Sequence, residues 1–204
     1  MKQIMKSLLI VLCCVAGTLM LSANEEVVKK TILGSATALA DLDVDKSFDY
    51  WCPDGFIIEK GKKTPVANMK KSKEMAMIRS MGKILKAGNF EEMVDAMVAI
   101  GQITADQKKQ MLALPDDKKK LTFTRTKFAM NMMSGMIKNQ LNTMIKEMQF
   151  KSIEINGDTA KVVAAFKNPK TGLMQDEIMI LKKINGVWKI YSSDDLSMQK
   201  ATGK

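Results

Sequence analysis

Three consecutive residues, Asp49, Tyr50 and Trp51 in the stretch DKSFDYW, put a carboxylate and a phenol on an aromatic frame. A second such group lies near the end of the chain, where Tyr191 precedes Asp194 and Asp195. A carboxyl beside a tyrosine hydroxyl, in apolar surroundings, can move a proton next to a carbonyl. Burial favours the neutral acid, and the hydroxyl donates to the oxyanion that develops. The plainer alternative for Asp49 and Tyr50 is a helix end with a half-buried ring and a wet carboxylate. Histidine is absent from the chain. That excludes Ser-His-Asp and Cys-His catalysis, His-ligated zinc and an imidazole base.

Methionine is the other candidate chemistry, with 19 in the chain. MNMMSGM sets Met132, Met133 and Met136 within one helical turn, and MAMIRSM does much the same with Met75, Met77 and Met81. Thioethers can hold Cu(I). The same residues, however, fall on stripes expected to face a core, where methionine is an ordinary filler. No metal and no cofactor is therefore expected. Pockets for small molecules are apolar and concave, with few polar groups. Trp51, Phe56, Trp188 and Tyr191, joined by Asp49 and Tyr50, form the candidate ligand site on that ground. Trp188 itself is expected to bury against helices and anchor the sheet.

The elements that must hold these residues begin after an apolar leader. Lys2 and Lys6 precede SLLIVLCCVAGTLML, Ser7 to Leu21, and Ala23 offers a small residue for cleavage. This is the pattern of a secretory signal over 1–23, and the apolar run is too short for a membrane span. Residues 24–204 then form one domain, exported to the periplasm or the medium of a bacterium, with no stable span of its own. That segment keeps only Cys52, so it has no internal disulfide. The full chain carries a net charge of +10, which falls by two when Lys2 and Lys6 leave. Its lysines are scattered, and Arg79 and Arg125 are its only arginines. Nucleic-acid binding is not expected from this pattern. A solvated surface is, or a weak attraction to an anionic envelope component.

Helical spacing of Val28, Ile32, Leu33, Ala36 and Leu39 predicts a first helix. A second starts at Asp43, sets Val44, Phe48 and Trp51 on one side, and ends at Pro53. Phe56 to Glu59 is a candidate short strand and Lys60 to Pro65 a loop. Capping patterns at Asn89 and Thr104 open two further helices, with Pro115 as a stop. A long helix from about Thr124 to Glu147 carries a stripe of Phe128, Met132, Met136, Leu141, Met144 and Met148, expected to be its core face. The period then changes to two. Asn156-Gly157 and Asn185-Gly186 mark hairpin turns. Four strands are expected: Gln149 to Ile155, Thr159 to Lys167, Met174 to Ile184 and Val187 to Ser193, with Asn168 to Gly172 as the middle turn. Trp188, Ile190, Leu181 and Met179 share one face. Ile178, Ile180, Ile184, Val187 and Tyr191 share the other, which could line a cavity or pair with a second copy. Ser197 to Lys204 is expected to be a loose tail.

The phrases INGDTAKVVAAF, Ile155 to Phe166, and DEIMILKKINGVWKI, Asp176 to Ile190, with ATALADLDVDKSFDYW, Ala36 to Trp51, give this order a familiar outline. It resembles the nuclear transport factor 2-like cone, and small exported bacterial proteins of unknown function within that superfamily. The resemblance implies an α+β fold in which a curved four-stranded antiparallel meander wraps the first helices around a cavity. It also implies a tendency to dimerise through the outer sheet face. Residues of about 60–147 hold more helix than a minimal cone needs. Such cones host binding modules and enzymes alike, so the expected function is a non-catalytic module for a small apolar ligand or an envelope component. The alternative is an isomerase or hydro-lyase.

Overall fold

The computed structural model describes residues 23–59, 61–167 and 172–195. The expected leader, apart from Ala23, lies outside these, as do most of the Asn168–Gly172 turn and the expected C-terminal tail. Helix α1 covers 23–40. It ends in a Schellman motif: Asp43 N donates to Ala38 O and Leu42 N to Leu39 O, each at 2.9 Å. Leu42 takes the left-handed position there, with φ 61°, where glycine is usual. Asp43 then caps helix α2, Val44–Asp49, by accepting from Lys46 N at 3.1 Å. The chain thus turns between the two helices in three residues, Asp41 to Asp43.

Strand β1, Trp51–Glu59, starts at once after α2. The sequence had suggested helix as far as Trp51 and a strand only from Phe56. Pro53 and Gly55 instead sit inside the strand, where its register shifts between Trp51 and Phe56 and Pro53 is exposed. An irregularity of this kind is where a strand tolerates a missing N–H. The expected loop after it contains strand β2, Lys62–Pro65. Its lysines and proline suit a sheet edge.

Helices α3 (Val66–Lys70), α4 (Lys73–Lys86), α5 (Phe90–Ala99), α6 (Ala105–Leu112) and α7 (Asp116–Glu147) fill the middle. Thr104 and Gln107 complete a capping box at α6. Pro115 stands at the start of α7, so this helix begins eight residues earlier than its pattern suggested.

Strands β3 (Gln149–Asn156), β4 (Thr159–Lys167), β5 (Met174–Ile184) and β6 (Val187–Asp195) follow. Each pairs antiparallel with the next. The sheet they build has six strands rather than four, in the order β2-β1-β6-β5-β4-β3, and it is mixed because β1 runs parallel to β6. Asn185 and Gly186 both have positive φ, 51° and 81°, the primed turn that Asn-Gly favours. At the other hairpin Asn156 still pairs with Thr159, and Gly157, φ 58°, is the first turn residue.

Two apolar clusters hold the fold. Val28 and Ile32 of α1 pack on Ala160, Val162, Ala164, Met179, Leu181, Trp188 and Ile190 from one sheet face. Ile84, Ala87, Met93, Val94 and Ala96 form the other cluster, joined by Phe123 and Met130 of α7. This second cluster corrects the first half of the expected core face of α7, whereas Leu141 and Met144 are half-buried and Met148 packs against the first cluster. Phe128, Met132 and Met136 are exposed, at 68%, 60% and 71%. Helical periodicity shows that a face exists but not which way it points, and the side carrying Phe123 and Met130 took the inward place. Cys52 is fully buried, and burial first, then the charge of Asp54, pushes its thiol pKa up.

Asp45 ties α2 to the helical middle. It receives two bonds from Arg79, 3.2 and 3.1 Å, and one ion pair from Lys70 at 3.2 Å. The Arg79 guanidinium above all, with help from Lys70, holds this carboxyl below the ordinary range against a smaller opposing effect of burial. A depressed folded pKa means that the contribution is present above the unfolded pKa and is lost as pH falls through the folded one. Asp45 is 60% exposed, so the contribution is screened to about 0.2–1 kcal/mol. Urea midpoints should therefore separate wild type from Asp45→Asn at neutral pH and converge as pH falls below the carboxylate range. A gap that is constant with pH would refute the assignment.

Candidate functional site

The polar end of α2 is tied to β6. Ile190 N donates to Tyr50 O at 2.8 Å, and Lys189 Nζ donates to Asp49 O. These bonds seat Asp49 and Tyr50 beside Trp188. Between them opens a cleft of about 320 Å³ lined by Thr31, Lys46, Asp49, Tyr50, Val187, Trp188 and Lys189. Its position has a cause in α1. A Cβ on Gly34 would stand 2.6 Å from Tyr50 Cζ, so the phenol ring lies where a larger residue would have a side chain. Lys46 precedes Asp49 by three residues and shares its side of α2.

Trp188 is 3% exposed, and its Nε1 is, among the described residues, the buried side-chain N or O atom without a hydrogen-bond partner. Leaving an indole N–H unpaired in the interior costs about 1–3 kcal/mol. Trp51 is placed differently. Its Nε1 donates to Ser35 Oγ at 3.1 Å, and Ser35 Oγ donates to Ser47 O at 3.1 Å. Ser47 Oγ lies 3.1 Å from the same hydroxyl. With its hydrogen given to Ser47 O, Ser35 accepts from both others, and the relay is saturated. The two tryptophans thus differ in chemistry: one is satisfied by α1 and the other is not.

Phe56 and Tyr191 do not reach the cleft. They meet edge to face, with ring centroids 5.4 Å apart, and Lys63 and Lys182 lie 3.6 and 3.2 Å from the respective ring centres. Alternation sets them on the sheet face opposite Trp188, so the four aromatics expected near one mouth divide between two faces. Asp194 pairs with Ile178 and Ile58 in the sheet. Three of the six expected residues therefore share the cleft: Asp49, Tyr50 and Trp188. Sequence inspection missed Thr31, Lys46, Val187 and Lys189. Lys46 could have been found from its i,i+3 spacing to Asp49. Lys189 could not, because alternation assigns it the face opposite Trp188.

No family model matches the chain, and no curated protein matches it. Among solved structures the chain is similar to a nuclear transport factor 2-like protein of unknown function from Shewanella baltica OS155, 8% identical, with a TM-score of 0.42 over 85% of this chain and 93% of that one. It is also similar to another from Shewanella oneidensis MR-1, 12% identical, with a TM-score of 0.40 over 84% and 98%. The helices and the six-stranded mixed sheet make an α+β fold. Nothing about chemistry is taken from likeness at this level. Among the described residues no helix is long and apolar enough to cross a membrane, and no three His, Cys, Asp or Glu side chains gather as a metal site would need.

The cleft can do a limited set of things. Its lining combines the buried indole of Trp188 and exposed Val187 with Tyr50 and the two lysines Lys46 and Lys189. Thr31 has spent its hydroxyl hydrogen on Val27 O at 3.0 Å. Asp49 is exposed, so it lacks the apolar enclosure that makes a carboxyl an effective proton shuttle.

Proposed function

We propose that this protein is an exported, non-catalytic binding module whose α1–α2–β6 cleft takes a small, largely apolar molecule bearing a hydrogen-bond acceptor. The lining of the cleft carries the proposal: Trp188 and Val187 stand beside the two cations Lys46 and Lys189. The two lysines would favour an acceptor with negative charge. A volume of about 320 Å³ suits a small molecule and not a polymer. The isomerase or hydro-lyase alternative needs a carboxyl enclosed next to the Tyr50 hydroxyl, and exposed Asp49 speaks against it.

Native mass spectrometry of protein purified from its own host tests this. Wild type should carry an additional small mass. Gly34→Ala should lose it with little loss of stability, because the new methyl pushes the half-exposed Tyr50 ring across the cleft. A wild-type protein that flies without any bound mass, or a Gly34→Ala protein that keeps it, would count against the cleft.

A further inference from the structure

Leu121, Phe128, Met132 and Met136 recur at spacings of seven and four along α7, so they lie on one side of that helix. All four are exposed, and so is neighbouring Met133. The opposite side is the one that packs: Phe123 and Met130 join the α4–α5 cluster, and Lys127 Nζ donates to Ala87 O at 2.6 Å. An exposed apolar ridge of this length is unusual on a protein surface and marks an interaction face. From Leu121 to Met136 it runs about 22 Å at 1.5 Å per residue.

Its charge tells what would cover it. Arg125 falls within the ridge, four residues after Leu121 and three before Phe128. Lys118 and Lys120 stand at its amino-terminal end. Lys119 is paired with Asp116 and Lys138 with Asp41, whereas Lys118, Lys120 and Arg125 make no ion pair among the described residues. A second copy would bring the same free cations against one another, in a chain of net charge +10. A helix-binding partner would need a groove to receive a convex ridge, whereas a planar surface does not. We infer that this side of α7 is a docking face for an anionic lipid bilayer, with Phe128, Met132 and Met136 entering the acyl boundary while Arg125, Lys118 and Lys120 meet the headgroups.

The full chain should cosediment with phosphatidylcholine vesicles containing about 30% phosphatidylglycerol, and binding should weaken at high salt as headgroup attraction is screened. The paired change Phe128→Ser with Met132→Ser should cut binding about tenfold or more, as should Lys118→Gln, Lys120→Gln and Arg125→Gln together. The melting temperature should stay the same, since these side chains are exposed. The apolar leader of the full chain could itself enter lipid, so a direct probe is included. Phe128→Trp should be quenched by brominated phosphatidylglycerol vesicles. Absence of that quenching, equal binding to vesicles of phosphatidylcholine alone, or binding unmoved by the ridge variants would overturn the inference. So would a dimer in light scattering that Phe128→Ser dissolves, since the ridge would then be an interface between copies.

Discussion

Trp188→Ala is expected to destabilise the protein by about 3–5 kcal/mol, a large share of the roughly 5–15 kcal/mol that keeps an ordinary domain folded. The ring is buried in the cluster that joins α1 to the sheet, with Val28, Ile32, Leu181 and Ile190 as fellow members. Trp188→Phe should behave differently. It keeps an aromatic ring in the same place and removes the N–H that has no partner. The gain of about 1–3 kcal/mol from deleting an unpaired donor then offsets much of the lost volume. Urea denaturation of the three proteins, each stripped of bound small molecules, measures the order. If Trp188→Phe is as damaging as Trp188→Ala, the indole nitrogen is paired after all.

Ile84→Ala is the second large effect, about 2–5 kcal/mol. Ile84 is fully buried where α4 meets Met93, Val94 and Ala96. The two apolar clusters have no residue in common, so the loss should add to that of Trp188→Phe within about 0.5 kcal/mol. A coupling well beyond that figure in the double variant would mean that the clusters act as one core.

Much of the sheet was legible because its signals are local. Alternation from Gln149 onward and the two Asn-Gly pairs mark four strands to within two residues at each end. Capping chemistry at Asn89 and Thr104 located two helix starts. What stayed hidden depends on partners far away in sequence. Pro53 and Gly55 look like breakers until β6 supplies a neighbour that tolerates their irregular register. Lys62 to Pro65 has the composition of a loop and the position of an edge strand. The long helix displayed two apolar faces, and only the packing of α4 and α5 decides between them.

The cleft was half legible for a related reason. Asp49 and Tyr50 are adjacent in sequence, and their place beside Trp188 depends on two bonds from β6, Ile190 N to Tyr50 O and Lys189 Nζ to Asp49 O. The sequence marks each of these residues as notable but contains nothing that brings them together. Phe56 and Tyr191 looked like members of the same site because aromatic residues draw attention whichever face they occupy.

The parallel contact between β1 and β6 has a consequence for biosynthesis. Trp51 pairs with Ile190, so the first strand made waits for the last. Until residues beyond 187 leave the ribosome, the β1–β2 ribbon has no other strand beside it, and α1 lacks Trp188 and Ile190 to close against. Closing so long a loop is slow. A chain cut short before residue 187 would therefore lack the strand that closes the Val28 and Ile32 cluster.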